Sequence, residues 1–149
     1  MIIREATIFD HTGILNCLIE WFDEASVDYP KPNKEMGNWI NHILMEGYCV
    51  VAEENGIIVG TSGLGYTKFP WNDQAWLLNS EWFHVTKQFR RGGTAKKIID
   101  MVKAYAEERN IPIIMGISSG VDTVKKQRFL QMTGASFVGG NFIYGLGEK

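Results

Sequence analysis

The chemistry in this chain is concentrated in one short stretch, KQFRRGGTAKK, residues 87–97. It holds five of the fifteen Lys and Arg residues, no acid, and two adjacent glycines. The segment before it is strand-like and the segment after it has helical periodicity. The amides at a helix start have no partners within the helix, and the helix dipole adds partial positive charge there. Glycine leaves the backbone open to a ligand because no Cβ stands in the way. Such a junction suits phosphate, and Arg90, Arg91, Lys96 and Lys97 carry charge for more than one phosphate. The same string also reads as a strand-to-helix turn with a solvated basic rim. Neither G-x-G-x-x-G nor G-x-x-x-x-G-K-[ST] occurs.

Around this stretch the sequence lays out alternating elements. MIIREATI reads as a strand, and Asp10 as the cap of a helix carrying Ile14, Leu15, Leu18, Ile19 and Phe22 on one side. YPKPN breaks that helix, and a second runs from about Lys34 to Met45 before Gly47. YCVVAEENGIIVGTSGLGY is a hairpin about Asn55-Gly56. YTKFPWNDQAW, with Tyr66, Phe69, Trp71 and Trp76, reads as an aromatic loop, a substrate lid or an oligomer contact. QAWLLNSEWFHV is a strand leading into the basic stretch, and a helix follows with Ala95, Ile99, Val102 and Ala106 on one face. IPIIMGIS reads as a short strand buried on both faces. A helix over about 122–133 ends at Gly134, and SFVGGNFIYGL reads as a last hairpin about Gly139-Gly140. The order β-α-α-β-β-β-α-β-α-β-β describes a mixed α/β fold, one domain over residues 1–149, with a central sheet and helices on it.

Composition sets outer limits. With 149 residues, 45% hydrophobic and 21% charged, the chain suits one domain with its own core. A net charge of -2 gives no global attraction to nucleic acid or an anionic membrane. Cys17 and Cys49 fall in apolar periodic segments and read as buried free thiols in a reducing compartment. No apolar run approaches membrane-spanning length and no signal-peptide layout opens the chain, so a cytoplasmic protein is expected.

Arg90-Arg91-Gly92-Gly93-Thr94-Ala95 resembles the Q/R-x-x-G-x-G/A loop of the GNAT superfamily of N-acetyltransferases, with Phe89 at the aromatic position before it. Val85 resembles the family valine closing the fourth strand, and Glu81 a frequent acidic position four residues earlier. IREAT with Asp10 and Ile14 is similar to the family's first strand and helix, so the resemblance spans the chain. It implies a GNAT-type sheet, mostly antiparallel, and acetyl-CoA as co-substrate. It places the pyrophosphate on Arg90, Arg91, Gly92, Gly93, Thr94, Ala95 and Lys96. The strand backbone at Phe83, His84 and Val85 would hold the pantetheine arm, with Thr123 at the position of the family asparagine. By the chemistry of acetyl transfer, Glu81 could accept a proton from an incoming ammonium, directly or through water, or be a surface carboxylate paired with a neighbour. Strand alternation sets His84 on the face opposite Phe83 and Val85, as a structural histidine.

One departure stands out. The family pattern N-x-x-A-x-x-L-Y-x-x-x-G-F, anchored on Gly134, puts Leu130 where a tyrosine protonates the leaving thiolate. Ser118 or Ser119 could donate to that thiolate instead, although serines after a strand also serve as turn formers. Residues 20–35 mix Glu20, Asp23, Glu24, Asp28 and Glu35 with Trp21, Phe22 and Tyr29, either an acceptor surface for a cationic amine or a solvated helix face. The expected activity is acetyl transfer from acetyl-CoA to a primary amine of a small molecule or peptide, with no metal, nucleic acid or membrane partner and with scope for a homodimer. Two other classes remain open: an acyl-CoA-binding module that lost its acid, and a nucleotide-binding domain using the same loop.

Overall fold

The computed structural model describes all 149 residues, Met1–Lys149. Five strands form one sheet in the order β1-β2-β3-β4-β5: β1 Ile2–Glu5, β2 Tyr48–Glu54, β3 Ile57–Phe69, β4 Asn72–Val85 and β5 Ile113–Ile114. Neighbours pair antiparallel except β4 and β5, which are parallel. Four helices cover it: α1 His11–Glu24, α2 Glu35–Glu46, α3 Thr94–Arg109 and α4 Thr123–Met132. The mixed α/β fold expected from the sequence is present.

The core has two halves because β2 is buried on both faces. Tyr48, Val50 and Ala52 meet Ile98, Val102 and Ala106 of α3, while Cys49 and Val51 meet Ile14 and Leu18 of α1 and Ile40 and Ile43 of α2. Val50 and Val51 are fully buried; removing either side chain from water is worth roughly 1.5–3 kcal/mol. The Asn55-Gly56 turn forms with φ of 50° and 78°, the doubly positive geometry of a type I′ hairpin. Gly134 (φ 103°) ends α4, its amide on Gln131 O and that of Ala135 on Leu130 O.

Four local expectations are corrected. Asp10 precedes α1 but makes no cap bond to it. Its carboxylate accepts two bonds from the Arg4 guanidinium, both 2.8 Å, and one from the Thr7 amide at 2.7 Å, tying β1 to the turn before α1. The aromatic stretch is not a loop. Its β-forming residues extend the β3–β4 ladder to Phe69↔Asn72, leaving only Pro70 and Trp71 at the turn. Tyr66 meets Trp76 edge-on and Lys68 stacks on Trp76 across the ladder.

The fifth strand is an edge, not a doubly buried strand. Only Leu78↔Ile113 and Asn79↔Ile114 pair, and Ile114 is half exposed. The last hairpin does not form. Residues 135–147 join no strand, because their ends are held elsewhere. Ala135 is tied to α4, while Asp28 N–H donates to Gly147 O and Val27 bridges Glu148. A β-rich pattern makes a strand only where a ladder partner is within reach.

Beyond Asn79, β4 has no neighbour on its β5 side, and residues 80–85 pair with β3 alone. Pairing with β5 stops here, and the β5-side edge of residues 80–85 is left unpaired as the strand runs toward the glycine loop.

Candidate active site

The glycine loop is bare by construction. Gly92 and Gly93 take φ of 116° and 84°, and nothing lies within 4 Å of where a Cβ would stand on either. Gly93 is the left-handed residue preceding α3, and no side chain caps the helix. The amide of Lys97 bonds to Gly93 O at 3.0 Å; those of Thr94, Ala95 and Lys96 precede the helical ladder and have no intrahelical acceptor. Thr94 is buried under the loop, whereas Arg91, Lys96 and Lys97 are exposed around it. Lys96 is shared with Asp100 one turn along, at 2.6 Å. The residues present therefore fit a polyphosphate: unpaired N–H groups, no crowding Cβ, and a cationic rim.

Glu81 is placed by a defect in the ladder. Gly63 pairs with Trp82 and Leu64 with Ser80, so Glu81 is an extra residue, a β-bulge. Strict alternation would point it with Phe83 and Val85 toward α3. The bulge turns it to the other face, where Trp39 Nε1 of α2 donates to its carboxylate at 3.3 Å. It remains solvent-exposed, beside Gly65, where a Cβ would come within 3.0 Å of Oε1. Gly65 also lines a groove of about 650 Å³ with His42, Glu46, Tyr66 and Trp76. The two aromatics expected to form a loop thus line a groove that reaches Glu81's neighbour.

His84 lies on the α1 face, as alternation requires, and is buried. Burial holds its pKa below the usual imidazole value against the pull of Glu20. The ring is neutral near pH 7, and Nε2–H donates to the Glu20 carboxylate at 3.3 Å, since a carboxylate only accepts. Burial opposes the charge on Glu20, but the Lys87 amide at 3.0 Å, His84 and the nearby Arg90 outweigh it and lower its pKa. Arg90 turns toward α1: Nε donates to Val85 O at 2.8 Å and Nη2 to Glu24 at 2.6 Å. Donor atoms of Glu20, Glu24 and His84 lie within 4.8 Å of one another, with the guanidinium as their cation. Glu20 and Glu24, expected as part of an acceptor surface, are spent on fixing the loop to α1.

The Acetyltransferase (GNAT) family model matches residues 15–134. The chain belongs to the GNAT acetyltransferase family. A search among curated proteins finds no match. Among solved structures, the chain is similar to the aminoglycoside N-acetyltransferase AAC(6')-Iy in complex with the bisubstrate analogue CoA-S-monomethyl-acetylneamine. Identity is 16%, with 96% of this chain and 95% of that one covered and a TM-score of 0.75. It is also similar to a ribosomal-protein-alanine N-acetyltransferase from Brucella melitensis biovar Abortus 2308, at 18% identity, 97% and 99% coverage and TM-score 0.68. A third is a GNAT family acetyltransferase from Staphylococcus aureus subsp. aureus USA300_TCH1516, at 17%, 96% and 96%, and 0.65. At such identities these likenesses establish the fold. This GNAT protein is an acetyltransferase with acetyl-CoA as co-substrate, and no helix in it is long and apolar enough to cross a membrane.

Past β5, the GNAT chain holds a pair that the sequence did not reveal. Lys126 Nζ of α4 donates to Ser119 Oγ at 2.7 Å. Ser119 is buried, and its backbone carbonyl accepts from Ser26 N–H at 2.8 Å. Burial lowers the Lys126 pKa and the Arg90 charge lowers it further, against Asp122 and Glu24. Leu130 lies four residues along α4 and offers no proton. Thr123, the first residue of α4, is exposed in a groove of about 590 Å³ with Arg128 and Phe129. The spacing Ser119-x6-Lys126 has no periodicity of its own. Only the turn at Gly120 to Asp122 folds Lys126 back onto the serine, with φ of 72° and 50° at these two residues.

Proposed function

We propose that this GNAT acetyltransferase acts as one domain that acetylates a primary amine of a small molecule or peptide. The observation that carries this is the uncapped, uncrowded start of α3 at the end of a half-paired β4. Amides of residues 93–96 with Arg91, Lys96 and Lys97 would bind the pyrophosphate. Arg90 would act from behind, holding the loop through Val85 and Glu24. The unpaired edge of β4 over Phe83, His84 and Val85 would offer main-chain groups to an extended arm, apart from Val85 O, which Arg90 Nε holds. The bound co-substrate supplies an acetyl thioester.

The remaining chemistry is protonic. An ammonium acceptor must lose a proton before it can attack, and Glu81, turned by the bulge toward Gly65 beside the groove, would take it. The thiolate that leaves must be neutralised. Ser119 can donate its hydroxyl proton and be resupplied by Lys126, which makes the pair a substitute for a tyrosine at position 130. Glu46, Tyr66 and Trp76 give the groove one negative charge and two aromatic faces, suited to a cationic amine. The free thiols Cys17 and Cys49, buried and both pushed up to about 12, are inert and suit a reducing cytoplasm.

The reading is tested by incubating the protein with acetyl-CoA and a panel of polyamines, aminoglycosides and peptide N-termini. Released thiol and product mass are the readouts. Turnover of at least one amine is expected. Tight acetyl-CoA binding with no turnover across the panel would favour the acyl-CoA-binding module, for which Leu130 is the supporting observation.

A further inference from the structure

The stretch TSGLGY, residues 61–66 of β3, sets two glycines on the face turned to α2, and each lies under a side chain of β4. A Cβ at Gly63 would come within 2.3 Å of the Trp82 ring, and one at Gly65 within 3.0 Å of Glu81 Oε1. The bulge explains why both are needed. In a regular ladder Glu81 and Trp82 would face opposite ways. The extra residue sends both to the α2 face, and a residue without a side chain beneath each leaves them room. Trp82 is then locked. It is buried, and its Nε1 donates to the fully buried Thr61 Oγ1 at 3.1 Å.

Trp39 of α2 joins the two. Its ring meets Trp82 edge-on, with centroids 5.0 Å apart and planes at 81°, and its Nε1 donates to Glu81 Oε2 at 3.3 Å. The dependence runs from buried to exposed. Thr61 fixes Trp82, Trp82 fixes the Trp39 ring, and the ring N–H holds one oxygen of an exposed carboxylate. An exposed glutamate left to itself moves among several rotamers. This one has Oε2 bound and Oε1 resting over a glycine. The indole nitrogen is a donor only, so it orients the carboxylate without competing for a proton.

We propose that Trp39 is the positioning residue for the base, and that Oε1 of Glu81, the oxygen over Gly65, is the atom that takes the proton. This assignment rests on the reading of Glu81 as the base. Gly65 also lines the groove of His42, Glu46, Tyr66 and Trp76, so the ammonium arrives on the Oε1 side. Its N–H bond breaks, the electron pair stays on nitrogen, and the proton forms an O–H bond at Oε1. The neutral amine then attacks the thioester, and Glu81 releases its proton to water before the next turnover.

The test is a pair of double-mutant cycles on initial rates, with acetyl-CoA and the panel amine turned over fastest. Trp39→Phe keeps a ring against Trp82 and removes the donor. It should lower kcat by about 10-fold, the lower end of the worth of a hydrogen bond to a charged group. The KM for acetyl-CoA and the melting shift with CoA should not change. Gly65 lies outside the left-handed region, so Gly65→Ala adds no backbone strain; its Cβ should push Oε1 aside and lower kcat similarly. In a Glu81→Gln background neither change should cost anything further, because no base is left to position. A merely structural role would lower the rate in both backgrounds. If one variant loses its fold, the other decides. Full kcat in a folded variant, or a loss that persists undiminished beside Glu81→Gln, would overturn the proposal and leave Glu81 as the base. Full activity of Glu81→Gln alone at neutral pH would remove the base, and the proposal with it, as would a panel with no turnover.

Discussion

Replacing Gly93 by alanine asks two separate questions of one residue. At φ 84° the backbone is left-handed, and a Cβ there costs roughly 1–2 kcal/mol. Nothing lies within 4 Å of the new methyl group, so no clash adds to this. For a chain of this length each kcal/mol moves Tm by about 2–4 °C, so Gly93→Ala should melt about 2–8 °C lower. The same methyl group would stand over the amides that receive the pyrophosphate. A ligand at 100 times its Kd stabilises the native state by about 2.7 kcal/mol, and the variant should lose most of that gain with CoA. Gly56 provides the control. Its φ is 78° and its Cβ also meets nothing, but it sits in the β2–β3 turn. Gly56→Ala should therefore fall by a similar amount without ligand and keep the full CoA shift. Differential scanning fluorimetry of both variants, with and without CoA, reads all four values. If Gly93→Ala keeps the wild-type shift, the loop does not hold the phosphates. If Gly56→Ala loses it too, the effect is backbone strain and the argument from bare amides fails.

Other outcomes follow from the site's geometry. Glu81→Gln should lower turnover by about 10²-fold with CoA binding intact, and the loss should shrink as pH approaches the amine's own pKa. Initial rates across pH would show it, and full activity at neutral pH would remove Glu81 as the base. Lys126→Met should cost about 10–100-fold in kcat, the worth of one hydrogen bond to a charged group. Its effect should not add to that of Ser119→Ala if they act as one relay; additive losses in the double variant would show separate roles. Arg91→Ala should weaken CoA while leaving Tm nearly unchanged. Arg90→Ala should lower Tm, because it releases Glu24 and Val85 O; calorimetric titration with CoA and a melting curve distinguish the two. The Arg4 hydrogen bonds, outweighing burial, with help from Thr7, hold the Asp10 pKa below its usual value. Its stabilising contribution is therefore present above the unfolded carboxylate pKa and is lost as pH falls through the lower folded value. Asp10→Asn should destabilise by roughly 1.5–3 kcal/mol at pH 7, and the gap from wild type should close in acid, as urea titrations across pH would report.

Local chemistry was readable from the residues alone wherever neighbours in sequence decide the structure. The Asn55-Gly56 turn, the α3 apolar face and the bare start at Gly92-Gly93 are set by φ preferences and 3.6-residue periodicity, which act within one or two turns. The His84 face follows from strand alternation for the same reason. Other features depended on contacts distant in sequence. Asp10 looks like a helix cap until Arg4 and Thr7 claim its oxygens. Arg90 reads as an unpartnered cation until Glu24, 66 residues earlier, is brought against its guanidinium. The direction of Glu81 required a bulge, because one extra residue in β4 reverses the face that alternation assigns. Lys126 meets Ser119 only through the left-handed turn before α4. For SFVGGNFIYGL, composition could specify a strand but could not supply its partner. A ladder needs a second edge in register, and in the tertiary structure residues 135–147 pair with none.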